Sequence, residues 1–222
     1  MSTLSGERKR LVAMNVIELS GPARARFARH AKAQVAILIA LSLVLLYGAP
    51  RFWNYTPDSG VYLASALSML ADGSYTLSGK PNLLYYPGTS MVFSVPIAIF
   101  GLDFHVLQVY VALISVAVVW LARAVFDPHE WGFVGWLAPI LLGLNLLFVD
   151  HAYKLLSDVI FVFLVLLAVL FWSRFERADS IRWLALCAVV AAIAPMVRFQ
   201  GIFLVAAFGL ALADRVVLQR RY

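Results

Sequence analysis

Five apolar stretches, each close to the length a helix needs to cross a bilayer, limit what this chain can become. They are Gln34–Pro50, His105–Ala122, Gly132–Val149, Asp158–Trp172 and Trp183–Leu212. A membrane-spanning helix takes about 20 apolar residues. The last run holds 30 residues and would reach ~45 Å as one helix, too long for one ordinary span and short for two. Pro195, Arg198 and Gly201 fall at its middle, so a hairpin of Trp183–Val197 and Phe199–Asp214 is expected. The rest of the composition agrees: 63% of residues are hydrophobic and 14% charged. A soluble domain carries roughly 25% charged residues, so this chain cannot clothe a water-facing surface. That excludes a soluble enzyme, a disordered chain and a nucleic-acid-binding module. The fold class expected is an all-α integral membrane protein of about six transmembrane helices. Cys187 is the single cysteine and lies in an apolar run, which excludes a disulfide framework and a cysteine metal site.

The net charge of +6 is then read as topology. Six spans with both termini cytoplasmic place 14 of the 18 Lys and Arg on one side. Arg51, Lys80, Lys154 and Arg198 are left outside. A single kinked last helix would move Arg215, Arg220 and Arg221 outside and weaken the asymmetry. The arm 1–33 is too long and too charged for a signal peptide, so Gln34–Pro50 reads as an uncleaved anchor. Arg24, Arg26, Arg29 and Lys32 suit a helix lying on anionic lipid, or simply a solvated basic arm. Localisation in a bacterial inner membrane follows as the expectation.

Arg51–Phe104 is a 54-residue external loop among otherwise short ones, and it is too rich in tyrosine and phenylalanine to be disordered. Two juxtamembrane helices are legible in it. The first, 57–72, has Thr56 as N-cap, Pro57 at the first position, Asp58 in the first turn and Gly73 beyond its end. At helical spacing Asp58, Tyr62, Ser65 and Asp72 share one face. A carboxylate among exposed helix N–H groups is a ready proton acceptor or cation ligand; the plainer reading is a helix-start residue contributing about 0.3–1 kcal/mol. The second helix, 88–100, follows Tyr85-Tyr86-Pro87-Gly88 and is too short to span.

A second external segment offers Asp150, His151, Lys154 and Asp158. On one helix, Asp150, Lys154 and Asp158 would form a stripe at four-residue spacing, either an ion-pair ladder or a polar site. A carboxylate beside one neutral imidazole is also a donor set that a divalent cation accepts. Arg198, flanked by Met196, Val197 and Phe199, is the external cation deepest in apolar sequence. It either snorkels to the interface or binds an anionic group through charge-assisted hydrogen bonds.

Three segments in order carry a resemblance: "TPDSGVYLASALSMLADGSYTLSGKPNLLYYPGTSMVFSVPIAIFG", "LLFVDHAYKLLSDVIFVFL" and "APMVRFQGIFLV". Over roughly 35–212 the chain resembles the amino-terminal half of the GT-C glycosyltransferases. These are the polyprenyl-phosphate-sugar-dependent enzymes that include protein O-mannosyltransferases and aminoarabinose transferases. The resemblance implies that Asp58 is the catalytic carboxylate of the first external loop, which orients or deprotonates the acceptor, sometimes beside a metal. It implies Arg198, Lys154, Lys80 and Tyr86 as donor-phosphate contacts, Lys80-Pro81 and Tyr86-Pro87 being rival equivalents of one family element. Asp150, His151, Asp158 and Tyr62 become acceptor or supporting polar groups. The implied partners are a polyprenyl-phosphate-linked sugar, membrane lipid and, because family members usually have more spans, a partner chain or homo-oligomer. No cofactor is assigned beyond a divalent cation left open. The rival reading is a non-catalytic membrane subunit that binds a polyprenyl lipid or scaffolds a partner. A transporter is disfavoured because the charges cluster at one interface rather than at the midplane.

Overall fold

A computed structural model describes residues 21–220; the arm before Gly21 and the last two residues, Arg221 and Tyr222, lie outside the described residues. The described chain is all-helical apart from one small hairpin. In order it runs α1 (Gly21–Tyr47), α2 (Pro57–Asp72), β1 (Thr76–Leu77), β2 (Lys80–Pro81), α3 (Pro87–Phe100), α4 (Phe104–Val125), α5 (Pro128–Leu144), α6 (Leu146–Ala152), α7 (Ser157–Ala178), α8 (Ile181–Val197) and α9 (Gly201–Arg220).

Each expected apolar run is helical, but the runs are not equally fit to span. α4 and α7, 22 residues each, are long and apolar enough to cross a membrane. A third span results if α5 and α6, bent by 55° at the break between them, are counted together. The expectation of six spans is met by length and composition in two or three helices only. Ala31–Tyr47 and α8 are shorter apolar helices. The 17 residues of α8 rise only about 25 Å, less than a hydrocarbon core of about 30 Å. The run read as one span over Gly132–Val149 is interrupted at Asn145, whose backbone is extended and whose Oδ1 accepts the Phe148 N–H at 3.1 Å. An Asn side chain that caps a new helix ends the old one. The last apolar run does break into two helices, α8 and α9, with Arg198 at the turn. α1 is continuous from Gly21 to Tyr47, so no break separates the end of the basic arm from the first apolar run.

Local signals set the ends of the loop helices. Thr56 Oγ1 accepts the Ser59 N–H at 3.2 Å and Ser59 Oγ accepts the Thr56 N–H at 3.0 Å, a reciprocal cap. Gly73 closes α2 in a left-handed conformation, φ 75°, where a side chain would be strained. Between β1 and β2, Ser78 and Gly79 both take positive φ, 52° and 76°, as a two-residue turn matched to strand twist requires. Asp103 Oδ1 caps α4 through the N–H groups of His105 and Val106. Trp53, just before α2, stacks on Phe104 at 5.0 Å, so the loop closes on itself where α4 starts.

The main core joins the loop helices to α4, α7 and α8. Tyr62, Leu63 and Ala66 of α2 and Phe93 and Ile97 of α3 pack with Leu107 and Val111, Ile160 and Leu164, and Val190, Ala194 and Val197. Small buried residues on the α7–α8 hairpin, Ala168, Cys187 and Ala194, belong to the same core and suit close approach of membrane helices. Two glycines fix the end of α8. A Cβ on Gly88 would stand 2.6 Å from the Met196 carbonyl oxygen, and one on Gly201 would stand 2.3 Å from the Pro195 nitrogen. Both distances are shorter than any real contact, and the obstacles are backbone. Gly201→Ala is therefore expected to cost about 1–3 kcal/mol by overpacking. A lower thermal midpoint in mild detergent checks it; an unchanged midpoint would mean that the α8–α9 turn is not held by this contact.

Candidate functional site

Two carboxylates occupy equivalent places in two helices. Asp58 is the second residue of α2 and Asp158 the second residue of α7, each among N–H groups that favour negative charge. Each has one partner. The Tyr85 hydroxyl donates to Asp58 Oδ1 at 2.7 Å. Arg198, leaving the end of α8, forms an ion pair with Asp158 through Nη1. The pair is partly exposed, with side chains 31% and 39% exposed.

Tyr62 links the two halves. It is 5% exposed, its ring meets that of Tyr85 edge-on at 5.2 Å, and its hydroxyl donates to Ser157 Oγ at 3.4 Å. Burial pushes the Tyr62 phenol above its ordinary value; the Ser157 hydrogen bond and the Arg198 charge oppose that rise, and the charges of Asp58 and Asp158 add to it. One buried phenol thus senses Asp58, Asp158 and Arg198 together. Tyr85 is pushed up to about 12, chiefly because it donates to Asp58 and secondarily by burial. It therefore stays a neutral hydrogen-bond donor throughout the physiological range.

The structure sorts the expected site residues. Asp58, Tyr62, Asp158 and Arg198 come together. Lys154 does not join them: it lies in the turn after α6 and pairs with Asp150 at 2.5 Å, with His151 3.7 Å from the same carboxylate. The four-residue stripe through Asp150, Lys154 and Asp158 does not form, because α6 ends at Ala152 and α7 starts at Ser157. Asp150 and Asp158 consequently serve different cations. Lys80 is exposed in β2, paired in the hairpin with Leu77, and among the described residues makes no ion pair. Tyr86, at the N-cap of α3, is 46% exposed. Among the described residues no three His, Cys, Asp or Glu side chains group closely enough to hold a metal ion.

Tyr85 and Ser157 were not singled out by the sequence. In an extended segment neighbouring side chains point to opposite sides, so only one of Tyr85 and Tyr86 can face Asp58. Adjacent tyrosines give no signal for which. Ser157 precedes Asp158 directly, and only its position before a carboxylate at a helix start could have drawn attention.

The family model for dolichyl-phosphate-mannose-protein mannosyltransferases matches residues 87–222, more than half of the chain. The chain belongs to this family. It is thus a membrane glycosyltransferase of GT-C type, as the three sequence segments implied. No curated protein and no solved structure is matched. The matched region holds α3 to α9 with Asp158 and Arg198, whereas Asp58, Tyr62 and Tyr85 precede it.

The Tyr85–Asp58 bond has a defined pH dependence. A phenol with a raised folded-state pKa contributes stability that is complete below its ordinary value of 10.0 and is lost as the pH rises through about 12. Asp58→Asn removes the negative charge and is expected to bring the Tyr85 titration down toward 10. Tyrosinate absorbance, taken as the difference from Tyr85→Phe, measures it. A Tyr85 titration that stays near 12 in Asp58→Asn would show that the bond is not its cause.

Proposed function

We propose that this chain transfers a sugar from a polyprenyl-phosphate donor to an acceptor hydroxyl or amine at the external membrane face. Asp58 is the acceptor-side carboxylate and Arg198 the donor-phosphate cation. The observation that carries this reading is that Tyr62 joins two pairs, meeting the Tyr85 ring that bonds Asp58 and donating to Ser157, the neighbour of the Asp158 that pairs with Arg198. Counted over the six apolar runs as spans, the Lys and Arg distribution supports the external placement of the 51–104 loop.

The chemistry follows from the groups present. The acceptor is a weak nucleophile, and its proton passes to Asp58 as its oxygen or nitrogen bonds to the anomeric carbon. The bond between that carbon and the phosphate oxygen breaks, and the electron pair leaves with the lipid phosphate. Charge on the leaving phosphate grows where Arg198 can meet it. A guanidinium has five N–H donors, and Arg198 directs Nη1 at Asp158, so others remain for phosphate oxygens. Asp158 holds Arg198 in place through the interval between substrates. Tyr85 takes one oxygen of Asp58 and leaves the other for the acceptor.

The test uses the full chain in membranes with dolichyl-phosphate-mannose as donor probe. Asp58→Asn is expected to lower transfer by roughly 10²–10⁴-fold, the range of a lost general base, while donor binding persists. Arg198→Ala is expected to weaken donor binding, with Arg198→Lys restoring little because a point charge does not replace the planar fork. Full transfer by Asp58→Asn would reject the catalytic role of Asp58, whereas lipid binding without transfer by the unsubstituted chain would favour the non-catalytic lipid-binding subunit.

A further inference from the structure

Asn82 is an asparagine only 7% exposed in a segment whose neighbours Leu83 and Leu84 are 90% and 78% exposed. A buried amide in an otherwise exposed stretch is the informative kind of exception. All of its hydrogen-bonding capacity is engaged. Nδ2 donates to Ser65 Oγ at 2.9 Å and to the Tyr75 hydroxyl at 3.2 Å. Oδ1 accepts the backbone N–H of Leu84 at 3.1 Å and of Tyr85 at 3.4 Å. The Tyr75 hydroxyl in turn donates to the Tyr85 carbonyl oxygen at 2.9 Å. Both polar backbone groups of Tyr85 are therefore fixed by this small network. Its anchor, Ser65, sits seven residues after Asp58 on α2, two helical turns along the same face.

We propose that Asn82 is a positioning residue for Asp58, acting through Tyr85. The amide ties the peptide that carries Tyr85 to the helix face that carries Asp58, which brings the phenol within 2.7 Å of the carboxylate and fixes the carboxylate's rotation. Asparagine suits the place because one end must donate twice and the other accept twice. Aspartate supplies no donor, and leucine would leave buried donors unpaired, each a penalty. Asn82 holds the Tyr85 N–H directly, and the hydroxyl of Tyr75, to which it also donates, holds the Tyr85 carbonyl, so the network grips the residue that meets Asp58 from both sides. The catalytic consequence rests on the reading of Asp58 given under Proposed function; the positioning itself does not.

The experiment separates the two. In the full chain reconstituted in lipid nanodiscs, the Tyr85 titration is read from tyrosinate absorbance, each variant against its own Tyr85→Phe counterpart. Asn82→Ala leaves Tyr85 and Asp58 intact, yet it is expected to move the titration from about 12 toward 10. Transfer from dolichyl-phosphate-mannose should fall roughly ten- to a hundredfold in kcat, as a displaced catalytic group predicts, with KM for the donor unchanged. Adding Asn82→Ala to Tyr85→Phe should cost little more than Tyr85→Phe alone, because the two act on one line. Should Asn82→Ala not fold, Tyr75→Phe, which removes the donation to the Tyr85 carbonyl, carries the same measurement. A Tyr85 titration unmoved in folded variants would overturn the proposal whatever the activity. A titration that moves while Asp58→Asn still transfers fully would support the positioning and reject the catalytic reading of Asp58.

Discussion

The backbone contact of Gly88 and Gly201 with the last turn of α8 governs where everything else can stand. Without side chains at those two positions, α3 and the start of α9 both close on Pro195 and Met196. Arg198 then emerges at one defined point, in an extended conformation, beside the first turn of α7. Asp158 is available there because α7 starts at Ser157 rather than continuing from α6. The steric constraint comes first and the ion pair follows from it. An isolated arginine in apolar surroundings is costly, and pairing at a partly wet boundary removes most of that cost. The charged groups of the candidate site sit at helix ends, where backbone N–H groups already favour the carboxylates. This leaves the middles of α4 and α7 free to be apolar.

Much of this architecture was legible in the sequence because it rests on short-range rules. Thr56, Pro57 and Gly73 bracket α2, and the structure ends that helix where those residues say it must. Pro195, Arg198 and Gly201 foretold the break between α8 and α9. The face shared by Asp58, Tyr62 and Ser65 followed from helical period alone, and all three touch the return segment. What failed was continuity across a polar residue. Asn145 caps a new helix instead of riding through one, and Tyr153–Leu156 interrupt what spacing suggested was a single stripe. Hydropathy averages over such residues, whereas a side-chain oxygen competing for backbone N–H groups acts at one position. The choice between Tyr85 and Tyr86 lay beyond local rules altogether, since it depends on how Asn82 meets Ser65 from another element.

A division of labour between the two halves of the site follows. The half within the family match, Asp158 and Arg198, is an ion pair between α7 and the α8–α9 turn, built on the apolar helices α7 and α8. The half before the match, Asp58 and Tyr85, is a neutral donor on a carboxylate, built on a loop. Tyr62, buried in the core with Phe93 and Leu155, joins them mechanically as well as electrostatically. A change in the loop cannot leave the transmembrane side untouched, since the same phenol answers to both.

The stacking of Trp53 on Phe104 gives the intervening stretch a particular mechanical character. Its entrance and its exit meet, so it is a closed cassette, which the core also holds against α4, α7 and α8. Asp58 and Tyr85 both lie inside that closed stretch, so the carboxylate and the phenol that holds it belong to one folded piece of the chain.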